Sequence, residues 1–187
     1  GIDLLTISGH KIYGPKGIGA LVVKPNLPIV PLQWGGGQES GIRSGTIPVP
    51  LVLGFAKAAE ITFKNLERYQ DHYLFLQNEL WNRLKLEIPN LILNGSLNKR
   101  LPNNLNFTIP DVKGSSLHKS LRPFIHCSSG SACSNGEPSH VLRALGRTKE
   151  ESEASIRLSI GRNTTIDHVK RVVSLISSTV KELREEK

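Results

Sequence analysis

Apolar and polar residues follow two rhythms along this chain. A short apolar run, "IDLLTI" at 2–7, predicts a buried strand, and "ALVVK" at 20–24 predicts a second. Between them lies "SGHKIYGPKGIG", glycine-rich with one proline, which must turn sharply and lie close to its neighbours. "PNLPIVP" is extended and proline-punctuated, and "WGGGQESGIRSGT" at 34–46 is a second glycine-rich loop. From Pro50 the rhythm becomes helical. Leu53, Ala56, Ala59, Ile61 and Phe63 offer apolar positions, followed by Leu66, Tyr69, Tyr73, Leu76, Leu80 and Leu84, until Pro89 ends the run. One bent helix or two helices satisfy this pattern, and either suits a connection between two domains.

A smaller α+β unit is predicted next. "LILNG" at 91–95 reads as a strand. "LNFTI" at 105–109 alternates Leu105, Phe107 and Ile109 on one face. "GSSLHKSLR" predicts a short helix capped by Ser115 or Ser116. "EPSHVLRALG" predicts a two-turn helix with Pro138 near its start and Gly146 at its stop. Thr148 and Glu151 have capping-box spacing. "ASIRLSIG" places Ile156, Leu158 and Ile160 inward, which puts Arg157 and Ser159 on the opposite face. A last amphipathic helix starts after Thr164 or Thr165, with Ile166, Val169, Val173, Ile176, Val180 and Leu183 as its stripe. The reading divides the chain into 1–59 and 60–187.

Composition narrows the function classes. The 187 residues are 38% hydrophobic and 21% charged, which permits a real core. The net charge is +8 but is spread without a dense block or a reader motif, so direct nucleic-acid binding is not expected. No run approaches a membrane span or a signal peptide. Two cysteines, Cys127 and Cys133, make no disulfide framework and point to a reducing compartment; the expected localisation is cytoplasmic. A metal site from Cys127, Cys133 and His126 lacks zinc-site spacing.

Three places carry candidate chemistry. Lys11 follows the first strand, flanked by Ser8, His10 and glycines. A partly desolvated lysine there can form a Schiff base, while hydroxyl, imidazole and backbone N–H groups can hold a phosphate. The plainer reading is a solvated lysine on a tight turn. Cys133 sits in "SGSACSNG", a stretch too small and polar for core, so the thiol is either displayed for chemistry or a filler. Cys127 follows Ile125 in a strand-like segment and fits the filler reading better. Arg157 can clamp a carboxylate with its planar fork or simply face solvent. Arg43, Ser44 and Thr46 in the second glycine loop could reach a phosphate, across an interface if the protein is a dimer.

Taken together, "SGHKIYGPKGIGAL", "GGGQESGIRSGT", "SSGSACSNG", "VLRALG" and "SIRLSIGR" resemble the cysteine desulfurases of the aminotransferase class V superfamily. The subgroup is the one that serves general iron–sulfur assembly or nitrogenase maturation. The resemblance implies an α/β fold of the pyridoxal-phosphate-dependent transferase fold type I. Residues 1–59 would be the C-terminal part of the large cofactor-binding domain, and 60–187 the small C-terminal domain with the cysteine loop. It implies that Lys11 holds pyridoxal 5'-phosphate and removes the substrate α-proton. Ser8 and His10 bind the cofactor phosphate, and Thr46 reaches the phosphate of the partner subunit in a homodimer. Arg157 binds the carboxylate of L-cysteine. Cys133 attacks the substrate sulfur and carries it as a persulfide to an iron–sulfur scaffold or sulfur-carrier protein. Cys133 as a transient iron–sulfur ligand is left open, and no metal is otherwise assigned.

Members of that family have roughly twice this length, so the resemblance also implies a preceding segment needed for activity. The stretch "CSNGEPSHV" reaches its helix slightly sooner than in some members, which would narrow the range of acceptors. Alternatives are a related cysteine, cystine or selenocysteine lyase, and a non-catalytic scaffold-binding fragment.

Overall fold

The computed structural model describes residues 1–128 and 139–186. These form two compact units, Gly1–Leu66 and Glu67–Lys187, whereas the sequence reading placed the break after Ala59.

In the first unit, β1 (Leu4–Ser8) and β2 (Gly19–Val23) pair antiparallel, with Ser8 opposite Gly19. Lys24 closes the hairpin by an ion pair to Asp3. The strands are shifted by one or two residues from the expected runs and are largely exposed rather than buried. Helix α1 (Val49–Lys64) begins at Val49 with Pro50 in its first turn, where a missing N–H costs nothing. Its expected apolar stripe is not covered within this unit. Only Ala58 is buried, while Phe63 is 83% exposed. Asn65 ends α1, its side-chain amide donating to Ile61 O at 2.8 Å, and α2 (Leu66–Glu87) starts anew. The long periodic run is therefore two helices.

The second unit holds the hydrophobic core. Strands β3 (Ile92–Leu93), β4 (Asn104–Thr108) and β5 (Ser155–Ser159) form an antiparallel sheet in that order. In this register Leu105 stands opposite Leu158, and Phe107 opposite Ile156. These four side chains share one face and are buried with Leu76, Leu80, Trp81 and Leu84 of α2. Helices α3 (Gly114–Leu121) and α6 (Ile166–Glu185) lie against each other and add Leu117, Leu121, Val169, Val173 and Ile176 to the same core. Phe107 is fully buried with its ring 6.2 Å from that of Trp81. Phe107→Ala is expected to lower the unfolding free energy by about 3–5 kcal/mol, measured by urea denaturation, since the surrounding rings and helices cannot collapse into the space.

Several terminal details depart from the sequence reading. Helix α3 starts at Gly114, capped by neither Ser115 nor Ser116. A Cβ at Gly114 would collide with Glu153 O, so only glycine permits this close backbone approach at the start of the helix. The strand expected at 91–95 shrinks to two residues. Short helices α4 (His140–Ala144) and α5 (Lys149–Glu153) are capped by Ser139 and Thr148, and the Thr148–Glu151 box forms as expected. Thr165 caps α6, in a box completed by His168. The inward positions of β5 and the stripe of α6 fall where the periodicity put them. No described helix is long and apolar enough to cross a membrane.

Candidate active site

Lys11 lies on a 3-10 turn, Gly9–Ile12, directly after the carboxyl end of β1. The turn is held from both sides. Gly9 N–H donates to Ile18 O at 2.9 Å, and Gly14 N–H donates to Gly9 O at 2.9 Å. A Cβ on Gly9 would sit 2.9 Å from the Ile18 side chain, so the chain can fold back this tightly only with glycine there. Tyr13 ends the turn in the left-handed region, at φ 65°. The turn thus sets a hydroxyl (Ser8), an imidazole (His10) and an amine (Lys11) within four residues. Lys11 and His10 are exposed, and neither side chain is engaged by another described residue.

The second glycine loop is also internally braced. Gly45 N–H donates to Gln38 Oε1 at 3.0 Å, and the Arg43 guanidinium donates to Ser44 O at 3.2 Å. That contact turns Arg43 back onto its own loop. Thr46 follows, exposed. Ser44 is buried, which disfavours it as a ligand contact.

In the second unit, Arg157 projects from the sheet face opposite the core. Its backbone exchanges hydrogen bonds with Ser128 at 2.8 and 3.2 Å. Arg157 also lines a cavity of about 430 Å³ whose walls include Asn94, Arg100, Asn106, Ser139 and Leu142. Ser128 and Ser139 are the described residues on either side of 129–138. Ser128, before the stretch that contains Cys133, is thus bridged to Arg157, and Ser139, after it, lines the same cavity. Cys133 itself lies outside the described residues, as do Pro138 and the whole of "SGSACSNG".

Cys127 is a different kind of thiol. His118 Nε2–H donates to Ser155 O at 3.1 Å, which leaves Nδ1 as the acceptor facing Cys127 Sγ at 4.0 Å. Burial pushes the Cys127 thiol up from its ordinary value and holds the His118 imidazole down. Cys127 stays protonated at neutral pH, a poor nucleophile in a neutral contact. It does not lie in a strand: the bridge to β5 begins at Ser128. Among the described residues, no cluster of three or more His, Cys, Asp or Glu side chains could hold a metal.

A profile of the aminotransferase class-V family matches residues 1–172. The chain belongs to that family. Over 98% of its length, this class-V chain is 46% identical to the cysteine desulfurase IscS of Rickettsia typhi, of which it covers 45%. It is 48% identical to the mitosomal cysteine desulfurase of Trachipleistophora hominis, again over 98% of its length and 43% of that protein. A solved NifS-like protein from Rickettsia africae superposes with a TM-score of 0.86 at 32% identity, over 97% of this chain and 48% of the other. These relations bear out the α/β, fold-type-I expectation. The chain spans less than half the length of the relatives it matches. The polar side chains around Arg157 were not singled out in the sequence. The alternation of "NLNFT" marked its apolar face, and the same alternation put Asn104, Asn106 and Thr108 together on the other.

Proposed function

We propose that the full-length protein is a pyridoxal 5'-phosphate-dependent cysteine desulfurase. It converts L-cysteine to L-alanine and holds the sulfur as a persulfide on Cys133. One observation carries this reading: Ser128, just before the Cys133 stretch, is bridged to Arg157, and Ser139, just after it, lines the same cavity as Arg157, whose guanidinium would bind the substrate carboxylate. The names and identities of the class-V relatives support it.

The donor set on the Lys11 turn fits the cofactor. Its amine is exposed and unpartnered among the described residues, with a hydroxyl and an imidazole beside it on a backbone pinned by glycine. Ser8 and His10 would hold the phosphate, and Thr46 would reach that of the partner subunit in a homodimer. Pyridoxal phosphate, when bound, supplies an electron sink for the substrate α-carbon. Lys11 Nζ is the attachment point and, once freed, the base that takes the α-proton. Arg157 orients L-cysteine through its carboxylate by a two-pronged contact. Cys133 Sγ takes the sulfur. The acceptor is an iron–sulfur scaffold or a sulfur carrier, and the setting is cytoplasmic. The large-domain assignment of residues 1–59 and the small-domain assignment of 60–187 belong to this reading, as does the need for a preceding segment.

The test is product stoichiometry. Full-length protein loaded with cofactor and mixed with L-cysteine, without reductant, should release one alanine per persulfide formed. Peptide mass mapping should place the extra sulfur on Cys133. Sulfide and pyruvate in place of alanine, with no sulfur on Cys133, would overturn the reading in favour of a lyase.

A further inference from the structure

Asn94, Asn106 and Arg157 form a row across the sheet. Asn94 N–H donates to Asn106 O at 3.0 Å, continuing the β3–β4 register, and Asn106 stands directly opposite Arg157 in the β4–β5 pair. Directly opposed residues on one face of an antiparallel pair have Cβ atoms about 5 Å apart. All three residues line the same cavity. Asn94 is nearly fully buried, and its carboxamide is held on both sides. Arg147 Nε–H donates to Asn94 Oδ1 at 2.7 Å, and Arg147 also donates to Leu93 O at 3.1 Å. The Asn94 amide nitrogen faces Asn106 Oδ1 at 2.8 Å, Thr108 Oγ1 at 3.0 Å and Ser155 Oγ at 3.2 Å.

Arginine can only donate. Arg147 therefore fixes which end of the Asn94 amide is oxygen, and so sends its N–H groups toward Asn106. Asn106 must answer with its own oxygen. Its NH2 group is then engaged by no other described residue, on a side chain that lines the cavity from the same sheet face as Arg157. A neutral donor pair beside a guanidinium suits a carboxylate, which has more lone pairs than one planar fork can satisfy.

We propose that Asn106 is a second contact for the substrate carboxylate beside Arg157, with Arg147 as a positioning residue that acts through Asn94. This rests on the assignment of Arg157 to the carboxylate of L-cysteine.

The experiment uses the full-length, cofactor-loaded protein, with thermal melts to confirm folding. Asn106→Leu keeps the side-chain volume and removes both amide groups. It should raise KM for L-cysteine roughly 10- to 100-fold, the scale of a lost hydrogen bond to a charged group, with kcat within about threefold. The inhibition constant of cysteamine, which is L-cysteine without its carboxylate, should not change. Asn106→Asp keeps the bond from Asn94 but swaps the cavity donor for an anion. It should raise KM at least as far, and it serves if the leucine variant does not fold. Arg147→Met should shift KM in the same direction by a smaller factor, and combining it with Asn106→Leu should add little. Arg157→Met is the reference. If it raises KM while the folded Asn106 variants leave KM within twofold, the proposal is wrong and the Arg157 assignment stands. If cysteamine binding weakens in step with L-cysteine, Asn106 shapes the site generally and the proposal is also wrong. If Arg157→Met itself leaves KM unchanged, the underlying assignment fails and takes the proposal with it.

Discussion

Lys11→Ala in the full-length protein is expected to lower turnover of L-cysteine by at least about a thousandfold. Two losses coincide at one atom. Under the proposed function, the amine that would attach the cofactor is gone, and so is the base that would remove the α-proton, which by itself contributes roughly 10²–10⁴-fold. The effect should be confined to chemistry. Lys11 is exposed on a 3-10 turn held by backbone contacts of Gly9 and Gly14, so its truncation leaves those contacts in place. Steady-state kcat, with cofactor content and melting temperature measured on the same sample, checks this. Turnover within tenfold of the parent would remove Lys11 from the mechanism.

The second large effect belongs to Cys133→Ser. Oxygen replaces sulfur with little change in size, but a serine hydroxyl cannot accept sulfur as a persulfide. Desulfurisation of L-cysteine should fall by roughly a thousandfold or more, because the proposed nucleophile of the step is removed. Binding of L-cysteine and loading of the cofactor should persist, since the proposed function assigns those to Arg157 and to the Lys11 turn. Alanine release and sulfur on the peptide give the readout. A variant that goes on releasing sulfur at the parent rate would favour a lyase. A parent protein that binds no cofactor would favour a scaffold-binding role. Cys127→Ser offers the contrast: its thiol is held protonated by burial against His118, and its loss should leave turnover nearly unchanged.

How much of this was legible in the sequence differs between elements. Strand β5 and helix α6 were readable because each buries a clean periodic face, and periodicity reports burial on one side. The α1 stripe was readable as a helix but not as a buried one, because its apolar residues meet no cover within their own unit. The α3 start was misplaced. Ser115 and Ser116 are good caps on local grounds, but the helix begins at Gly114, where the Glu153 carbonyl, some 40 residues away in sequence, leaves no room for a Cβ. Gln77 escaped notice as a core residue because a buried amide is unfavourable unless paired. Its partner, Asn104 O at 2.8 Å, comes from a distant strand.

Sequence alone determined the chemistry at hand: a lysine on a glycine-pinned turn, a thiol in a stretch without bulk, and an arginine on the polar face of a strand. Residue type and local spacing carry those facts, since a turn or an alternating strand is set by neighbours along the chain. Tertiary structure decided the company those residues keep. Strand pairing alone sets Asn106 opposite Arg157 and binds Ser128 to the same residue. Folding alone brings Arg147 to Asn94 and thereby fixes the direction of two amides. Hydrogen-bond polarity passes between groups in contact, and those contacts join residues up to 61 positions apart, beyond the range of any local pattern.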